Sequence, residues 1–296
     1  MTADLQIVLV AGLVATACGL LGPFLVLRRV ALMGDAVSHA VLPGIVATFL
    51  IFETRAPLPV IAGAAVFAVL CVLGIDALRA TGLVKSDAAI ALVFPALFSL
   101  GVLGVQQYAD DLHLDLDATI YGEIAFVPLD QWDVAGVPVP RGLVITGCVA
   151  LLNLALVVAL WKELKATSFD PEFSRTAGMP PQWLSRILLV AVAITAVTAF
   201  ESVGAILVVT LLIVPAATAY LLCDRLVAML LVTLAVGWVA AAVGYAGALQ
   251  ADASIAGAMG LVAAAAFAAA FVLSPKHGLL ARLGRVRELR RRAQAG

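Results

Sequence analysis

Apolar runs of 18 or more residues recur along this 296-residue chain, and they constrain its fold more than any other feature. A helix of that length crosses about 30 Å of hydrocarbon. The runs do not alternate between polar and apolar residues, as the strands of a membrane β-barrel do. Hydrophobic residues make up 64% of the chain and charged residues 12%. In soluble domains about half of the residues are apolar and about a quarter are charged. The sequence therefore predicts an all-α, polytopic transmembrane helical bundle.

Short polar breaks divide the apolar sequence into candidate spans, and they predict about eight or nine crossings. The candidates are 6–27, 30–52, 57–78, 87–106, 141–161, 185–201, 203–222, 226–247 and 254–273. A break at Glu201-Ser202 leaves open whether 185–222 forms two spans or one span and a re-entrant segment. We predict a transmembrane domain over 1–274 and a basic cytoplasmic tail over 275–296.

The distribution of positive charge predicts the orientation of the bundle. If the N-terminus is outside, all of the 18 lysines and arginines except Arg55 and Arg141 lie on the cytoplasmic side. Cytoplasmic loops of membrane proteins carry an excess of these residues. We therefore expect the N-terminus outside and the C-terminus in the cytoplasm. The outer stretch 107–140 is then acidic; it could concentrate cations, or it could be an ordinary solvated loop.

Motifs of covalent chemistry are missing from the sequence. It contains no phosphate-binding loop of the GxxxxGK[ST] pattern, no nucleophile elbow and no HExxH. We therefore predict that the chain is not an enzyme and that any ATP hydrolysis occurs on a separate subunit. The 4 cysteines are far apart and form no CxxC pair, which argues against a thiolate metal site.

Two ionisable residues in the second apolar run form the first candidate site. Asp35 and His39 are four residues apart, which places them on one face of a helix. A charge inside a membrane is costly and is usually functional. A carboxylate and an imidazole suit Mn²⁺ or Zn²⁺, but the two side chains could also simply pair with each other at a helix interface.

Glu201 is a further acidic residue flanked by mostly apolar sequence. It could complete a cation site with Asp35 and His39, or it could cap the following helix. Counted along straight helices, Glu201 lies about 22 Å beyond Arg186 and His39 about 15 Å beyond Arg29. The residues therefore meet only if a helix is broken or tilted, as helices near transport sites often are.

The cytoplasmic segment 169–178 predicts a very short helix. Asp170 fits the N-cap, Pro171 the first helical position and Gly178 the stop signal. Phe169 and Phe173 would give the helix an apolar surface. Such a helix could dock a partner protein, or the segment could be an interfacial loop.

Several stretches together resemble the permeases of ATP-binding-cassette importers for manganese, zinc and iron. The matching stretches are 28–44, with its Gly-Asp-Ala-Val-Ser-His motif, 86–95, 115–117 with 121–123, 170–173, and 203–218 with 224–225. They follow the family order along essentially the whole chain. The Gly-Asp-Ala-x-Ser-His motif is specific, whereas an apolar helix alone is not.

The resemblance implies a multi-pass protein of the bacterial inner membrane that imports a divalent metal by alternating access. It assigns Asp35, His39 and Glu201 to the metal path. It makes the helix of Asp170, Pro171, Glu172 and Phe173 the coupling helix that docks on the ATPase.

The partners that the resemblance implies are a cytoplasmic ATPase dimer, an extracytoplasmic solute-binding protein and a second permease, identical or closely related. It implies no permanently bound cofactor and no nucleic acid. Manganese is favoured over zinc because the stretch 121–128 looks more like manganese-type members of the family.

Other functions remain open from the residues alone. A proton-coupled secondary transporter could use the same Asp35–His39 pair to carry protons. An importer of a metal chelate would need a wide passage with few ion ligands, and a membrane scaffold would need no ligands at all.

Overall fold

The computed structural model describes residues 2–52, 57–108, 124–134, 137–274 and 278. Within these residues, eight helices are long and apolar enough to cross a membrane, so the predicted all-α polytopic bundle is confirmed. Three parts of the predictions fall outside the described chain: Arg55, residues 109–123 of the acidic stretch, and the tail 275–296. Within the tail, Gly278 alone is described. The N-out orientation stays a prediction.

Most of the helices in the described part of the chain follow one another with short connections, whereas residues 109–140 separate the helix that ends at Tyr108 from the helix that begins at Arg141. The helices are α1 (Ala3–Leu27), α2 (Ala31–His39), α3 (Leu42–Phe52), α4 (Pro57–Ala80), α5 (Ser86–Tyr108), α6 (Arg141–Ala159), α7 (Trp161–Phe169), α8 (Pro171–Thr176), α9 (Pro181–Val203), α10 (Ala205–Leu222), α11 (Leu226–Ala251) and α12 (Ile255–Leu273). Strands β1 (Gln131–Val134) and β2 (Val137–Pro140) form an antiparallel hairpin before α6. The helices of membrane-spanning length are α1, α4, α5, α6 and α9 to α12.

Helix α1 lies at the centre of the bundle, where it packs against α6, α10 and α11. Most of its residues are buried. A Cβ atom added to Gly22 would overlap the carbonyl oxygen of Leu212 in α10, so the two backbones touch. Small residues allow this close approach, which stabilises helix pairs in lipid, where the hydrophobic effect between helices is weak.

The predicted second span, 30–52, is broken into two short helices. α2 ends at His39, and α3 begins at Leu42. Pro43 explains the break, because proline has no N–H to bond the carbonyl of His39 and its ring would clash with that carbonyl in a continuous helix. The described crossings of membrane length are therefore eight, with the α2–α3 pair as an additional interrupted segment.

The boundary between α9 and α10 lies at Gly204, not at the predicted Glu201-Ser202 break. α9 continues to Val203, and Gly204 has φ 79° and ψ 159°. Glycine adopts this backbone conformation without the steric cost that other residues pay. Because α9 and α10 are each of spanning length, region 185–222 contains two spans rather than a span and a re-entrant segment.

The β-hairpin is a feature that the sequence did not predict. Its strands are four residues long and contain Pro138 and Pro140, which obscure any strand signal. Arg141 anchors the hairpin to α6: its guanidinium lies 3.4 Å from Asp130 Oδ2 and 5.7 Å from the ring centre of Trp132.

Candidate functional site

Helix α2, which carries the Asp35–His39 motif, packs against α4, α5, α9 and α10. A Cβ atom added to Gly34 would lie 2.8 Å from Leu212 Cδ2 and 3.7 Å from Val192 Cγ1. Met33 is fully buried beside it. The glycine therefore lets this short helix lie close to α9 and α10, which fixes its depth in the bundle.

His39 is the last residue of α2 and is exposed. Its ring centroid lies 5.9 Å from that of Phe94 and 6.0 Å from that of Phe98, both on α5. The C-terminal end of a helix carries partial negative charge, which favours cations. The break after α2 thus places an exposed imidazole at an electronegative helix end, an arrangement that transporters with broken helices use to coordinate cations.

The other two predicted metal ligands have described backbones, but their side chains lie outside the described part of the structure. Asp35 lies one turn before His39 in α2, and Glu201 lies in the last turn of α9. Counted from the contact between Gly34 and Val192, His39 is about 8 Å and Glu201 about 14 Å further along their helices.

The structure does not test the predicted metal site. Among the described side chains, no group of three or more histidines, cysteines, aspartates or glutamates could hold a metal ion. Asp35 and Glu201 are not among those side chains. Their assignment to a metal path stays a prediction, as does that of His39.

Helix α8 occupies residues 171–176 of the segment that the sequence singled out. Asp170 is its N-cap, and the Asp170 carboxylate accepts a hydrogen bond from the backbone N–H of Phe173 at 2.9 Å. Pro171 is the first helical residue. Gly178 follows the helix with φ 77°, and its N–H donates to the carbonyl of Arg175. The segment thus contains its own start and stop signals.

The outer surface of α8 is apolar at two points. Phe173 is 60% exposed, and Phe169, at the end of α7, is 57% exposed. Ser174 faces inward, where its hydroxyl donates to the Asp170 carbonyl at 2.7 Å. Exposed aromatic side chains on a short, rigid helix are typical of a docking surface.

A hydrogen-bonded contact joins the turn between α1 and α2 to α7, the helix that precedes α8. Arg28, which follows α1, donates to Thr167 Oγ1 at 2.6 Å and to Ser168 Oγ at 3.1 Å in α7. Burial lowers the pKa of Arg28 to about 10, so the side chain remains charged at neutral pH. The contact links the end of α1 to the helix that leads into α8.

Sequence reasoning missed three of these neighbours of the candidate sites. Phe94 and Phe98 lie beside His39. Phe94 belongs to the stretch 86–95, which carries the family resemblance, and Phe98 lies outside it. Thr167, which accepts from Arg28, gave no signal, because a threonine in a polar stretch is unremarkable on its own.

Comparison with known proteins gives consistent matches. The model of the ABC 3 transport family matches residues 3–274. The zinc transport system membrane protein TroD of Treponema pallidum (strain Nichols) is 44% identical over 208 residues, which are 70% of this chain and 57% of TroD. The manganese transport system membrane protein MntD of Bacillus subtilis (strain 168) is 38% identical over 213 residues, 72% of each chain. The match with TroD thus spans little more than half of that protein's length.

A solved structure has a similar fold. PsaBC from Streptococcus pneumoniae in complex with Fab matches with a TM-score of 0.78 and 30% sequence identity. The match covers 94% of each chain. The similarity therefore extends over the whole helical bundle rather than over a single pair of helices.

Proposed function

The chain belongs to the ABC 3 transport family, and on that premise we propose that it is the permease of an ATP-driven importer of a divalent transition-metal ion. The family match over residues 3–274 carries this proposal. Relatives named for zinc and manganese transport support it. Carboxylate and imidazole ligands suit both manganese and zinc ions. Manganese is the first metal to test because the stretch 121–128 resembles manganese-type members of the family, and zinc is the second.

The family membership and the eight membrane-length helices confirm two coarser predictions. The chain is a multi-pass protein of the bacterial plasma membrane, and it is a transport protein rather than an enzyme. A transport protein of this family without its own phosphate-binding loop requires an ATPase on another chain, which is part of the proposal.

The proposed metal path runs past the break after α2. Asp35, His39 and Glu201 transiently replace part of the water shell of the ion. The exposure of His39 and its position at a helix C-terminus support this role. Such a site binds weakly, because an ion that is transported must also leave.

The proposed transport cycle requires three partners. An extracytoplasmic binding protein delivers the ion, a second permease completes the pore, and an ATPase dimer docks on α8. The surface of Asp170, Pro171, Glu172 and Phe173 is suited to docking because it is exposed and rigidly capped. Movement of α8 would then tilt the helices and expose the ion to the cytoplasm.

Uptake of single metals tests the proposal most directly. Vesicles that contain the permease, its ATPase and the binding protein are supplied with Mn²⁺, Zn²⁺ or Fe²⁺ in turn. We expect ATP-dependent uptake of at least one ion, and we expect its loss in His39→Ala, Asp35→Ala and Glu201→Gln. Cys148→Ser, an exposed position on α6, is the control and retains uptake.

Two outcomes would favour the competing functions. Uptake that persists without the ATPase, driven by a proton gradient, indicates a secondary transporter. Transport of a chelate that is unaffected by His39→Ala indicates a passage without ion ligands.

A further inference from the structure

An apolar groove that is open to the outside of the bundle lies between α4, α6 and α9. It has a volume of about 330 Å³, which is within the roughly 300–1,000 Å³ typical of ligand sites. Its walls include Val69 and Leu73 of α4, Leu152 and Leu156 of α6, and Val190 of α9. Leu73 and Leu152 are 43% and 51% exposed, so the groove opens outward to the surrounding lipid.

A positively charged pocket adjoins one end of this groove. Arg186 lines both spaces. The pocket has a volume of about 480 Å³, and its other charged residues are Arg79, Arg175 and Asp76. The pocket is thus lined by three arginines and one aspartate. Asp76 lies 3.1 Å from Arg186 and 3.9 Å from Arg79, but one negative charge leaves a net positive pocket.

The groove and the pocket form one continuous surface because Arg186 lines both of them. Their other lining residues on α4 and α9 lie along one face of each helix. On α4, the residues at spacings of three and four run from Val69 through Asp76 to Arg79. On α9, the equivalent stripe runs from Ile194 back to Arg186 and Trp183. Both stripes change from apolar to charged at the same end of the bundle.

Trp183 marks the level at which this change occurs. The guanidinium of Arg186 lies 5.5 Å from the centre of its ring, and the ring is 62% exposed. Tryptophan is enriched where hydrocarbon meets the headgroups. The groove therefore lies at the depth of acyl chains, and the pocket lies at the depth of headgroups.

We propose that this groove and pocket bind an anionic phospholipid, with an acyl chain along α4, α6 and α9 and the phosphate among Arg79, Arg175 and Arg186. Arginine pairs with phosphate through parallel hydrogen bonds. Basic pockets between membrane-spanning helices are suited to anionic headgroups. Because every lipid has apolar chains, selectivity comes from the headgroup charge.

The bound phosphate would add a link from α8 to α4 and α9, which the Asp76–Arg186 ion pair already joins. Arg175 belongs to α8, Arg79 to the end of α4 and Arg186 to the start of α9. The lipid would hold α8 against the membrane-spanning helices. This inference needs only the membrane location of the chain, so it stands or fails independently of the transported metal.

Lipid retention by the purified full-length protein tests the proposal. The protein in detergent is mixed with equal amounts of phosphatidylglycerol and phosphatidylcholine of identical chains, and retained lipids are counted by native mass spectrometry. We expect phosphatidylglycerol to be retained preferentially. The double variant Arg79→Gln/Arg175→Gln should lower this preference by about tenfold or more, because it removes two of the three cations.

A charge-matched control separates the pocket from general surface charge. Lys165→Gln/Arg225→Gln removes two cations from a different pocket, near α7 and the start of α11, and should keep the preference. Equal loss in both double variants would overturn the proposal, as would equal retention of the two lipids by the unsubstituted chain.

A second pair of variants tests the groove itself. Leu152→Trp places a bulky ring in the groove and should reduce retained phosphatidylglycerol, whereas Leu154→Trp, on the same helix outside the groove and 46% exposed, should not. Unchanged lipid retention in Leu152→Trp together with a loss of dimer would show that a second copy of the chain covers the groove, and would refute the lipid site.

Discussion

The guanidinium of Arg28 donates a hydrogen bond to the hydroxyl of Thr167, across 2.6 Å and between parts of the chain 139 residues apart. The neighbouring Ser168 accepts a second bond at 3.1 Å. Both hydroxyls also donate to carbonyls of their own helix, so they are held in place as acceptors. The end of α1 and the helix before α8 are therefore joined by one polar contact.

We predict that Arg28→Ala uncouples ATP hydrolysis from metal transport. Loss of both hydrogen bonds removes the polar link between the end of α1 and α7, while Thr167 and Ser168 keep their intrahelical bonds. Metal ions transported per ATP should fall several-fold in vesicles that contain the ATPase and the binding protein. Arg28→Lys, which keeps the charge and one point of contact, should recover part of the loss.

The neighbouring Arg29→Gln is the control for this prediction, because Arg29 is exposed. It should leave the ratio of transport to hydrolysis unchanged. An unchanged ratio in Arg28→Ala would show that the contact is structural only.

Removal of the cap of α8 should weaken the docking helix. Asp170→Ala deletes the acceptor of the Phe173 N–H and should cost about 1 kcal/mol of helix stability. We expect faster proteolysis within 169–178 and weaker binding of the ATPase. Asp170→Asn can still accept the bond and should behave like the unsubstituted chain.

Glu172→Ala tests whether the effect of Asp170→Ala comes from the lost cap or from the lost negative charge at the start of the helix. Glu172 is exposed and lies one residue before the capped N–H. Proteolysis should be unaffected in this variant. If Asp170→Ala and Glu172→Ala weaken the helix equally, the loss is due to charge rather than capping.

Gly44→Ala should destabilise the contact between α3 and α4. Its Cβ atom would overlap the carbonyl oxygen of Gly63, and a backbone can relieve an overlap only by moving. We expect a lower melting temperature in detergent, because the overlap should reduce the free energy of unfolding by about 1–3 kcal/mol. Gly247→Ala, which meets nothing within 4 Å, should be neutral or slightly stabilising; equal effects would contradict the predicted contact.

Asn153→Ala should loosen the junction of α1, α6 and α9. The buried Asn153 amide donates to the carbonyl of Ala17 at 3.0 Å and to Thr195 Oγ1 at 2.8 Å. Hydrogen bonds between membrane helices contribute about 1 kcal/mol each, so thermal stability should fall measurably. Leu154→Ala, which removes an exposed side chain from the same helix, should change it little.

The sequence predicted the bundle well because the lipid requirement leaves few alternatives. Apolar runs identified the helices of membrane length, and cap residues identified α8 because Asp170, Pro171 and Gly178 act locally. Family membership, the absence of enzyme chemistry and the membrane location were likewise predicted from motifs and composition, and are confirmed by the family match.

Features that depend on tertiary contact were not predictable in the same way. The shift of the α9 boundary from Glu201 to Gly204 reflects a backbone angle that sequence patterns do not specify. The contact of Arg28 with Thr167 joins residues far apart in the chain, and no local spacing indicates it.

In α8, the residues that fix the shape of the helix are different from the exposed side chains that a partner would contact. Asp170, Pro171 and Gly178 fix the helix without help from a partner, while Phe173 projects outward and contributes little to that shape. Exposed positions can therefore change during evolution without unfolding the helix. If α8 docks the ATPase as proposed, a duplicated permease gene could acquire a different ATPase through a few such substitutions, and its transmembrane helices would need no compensating change.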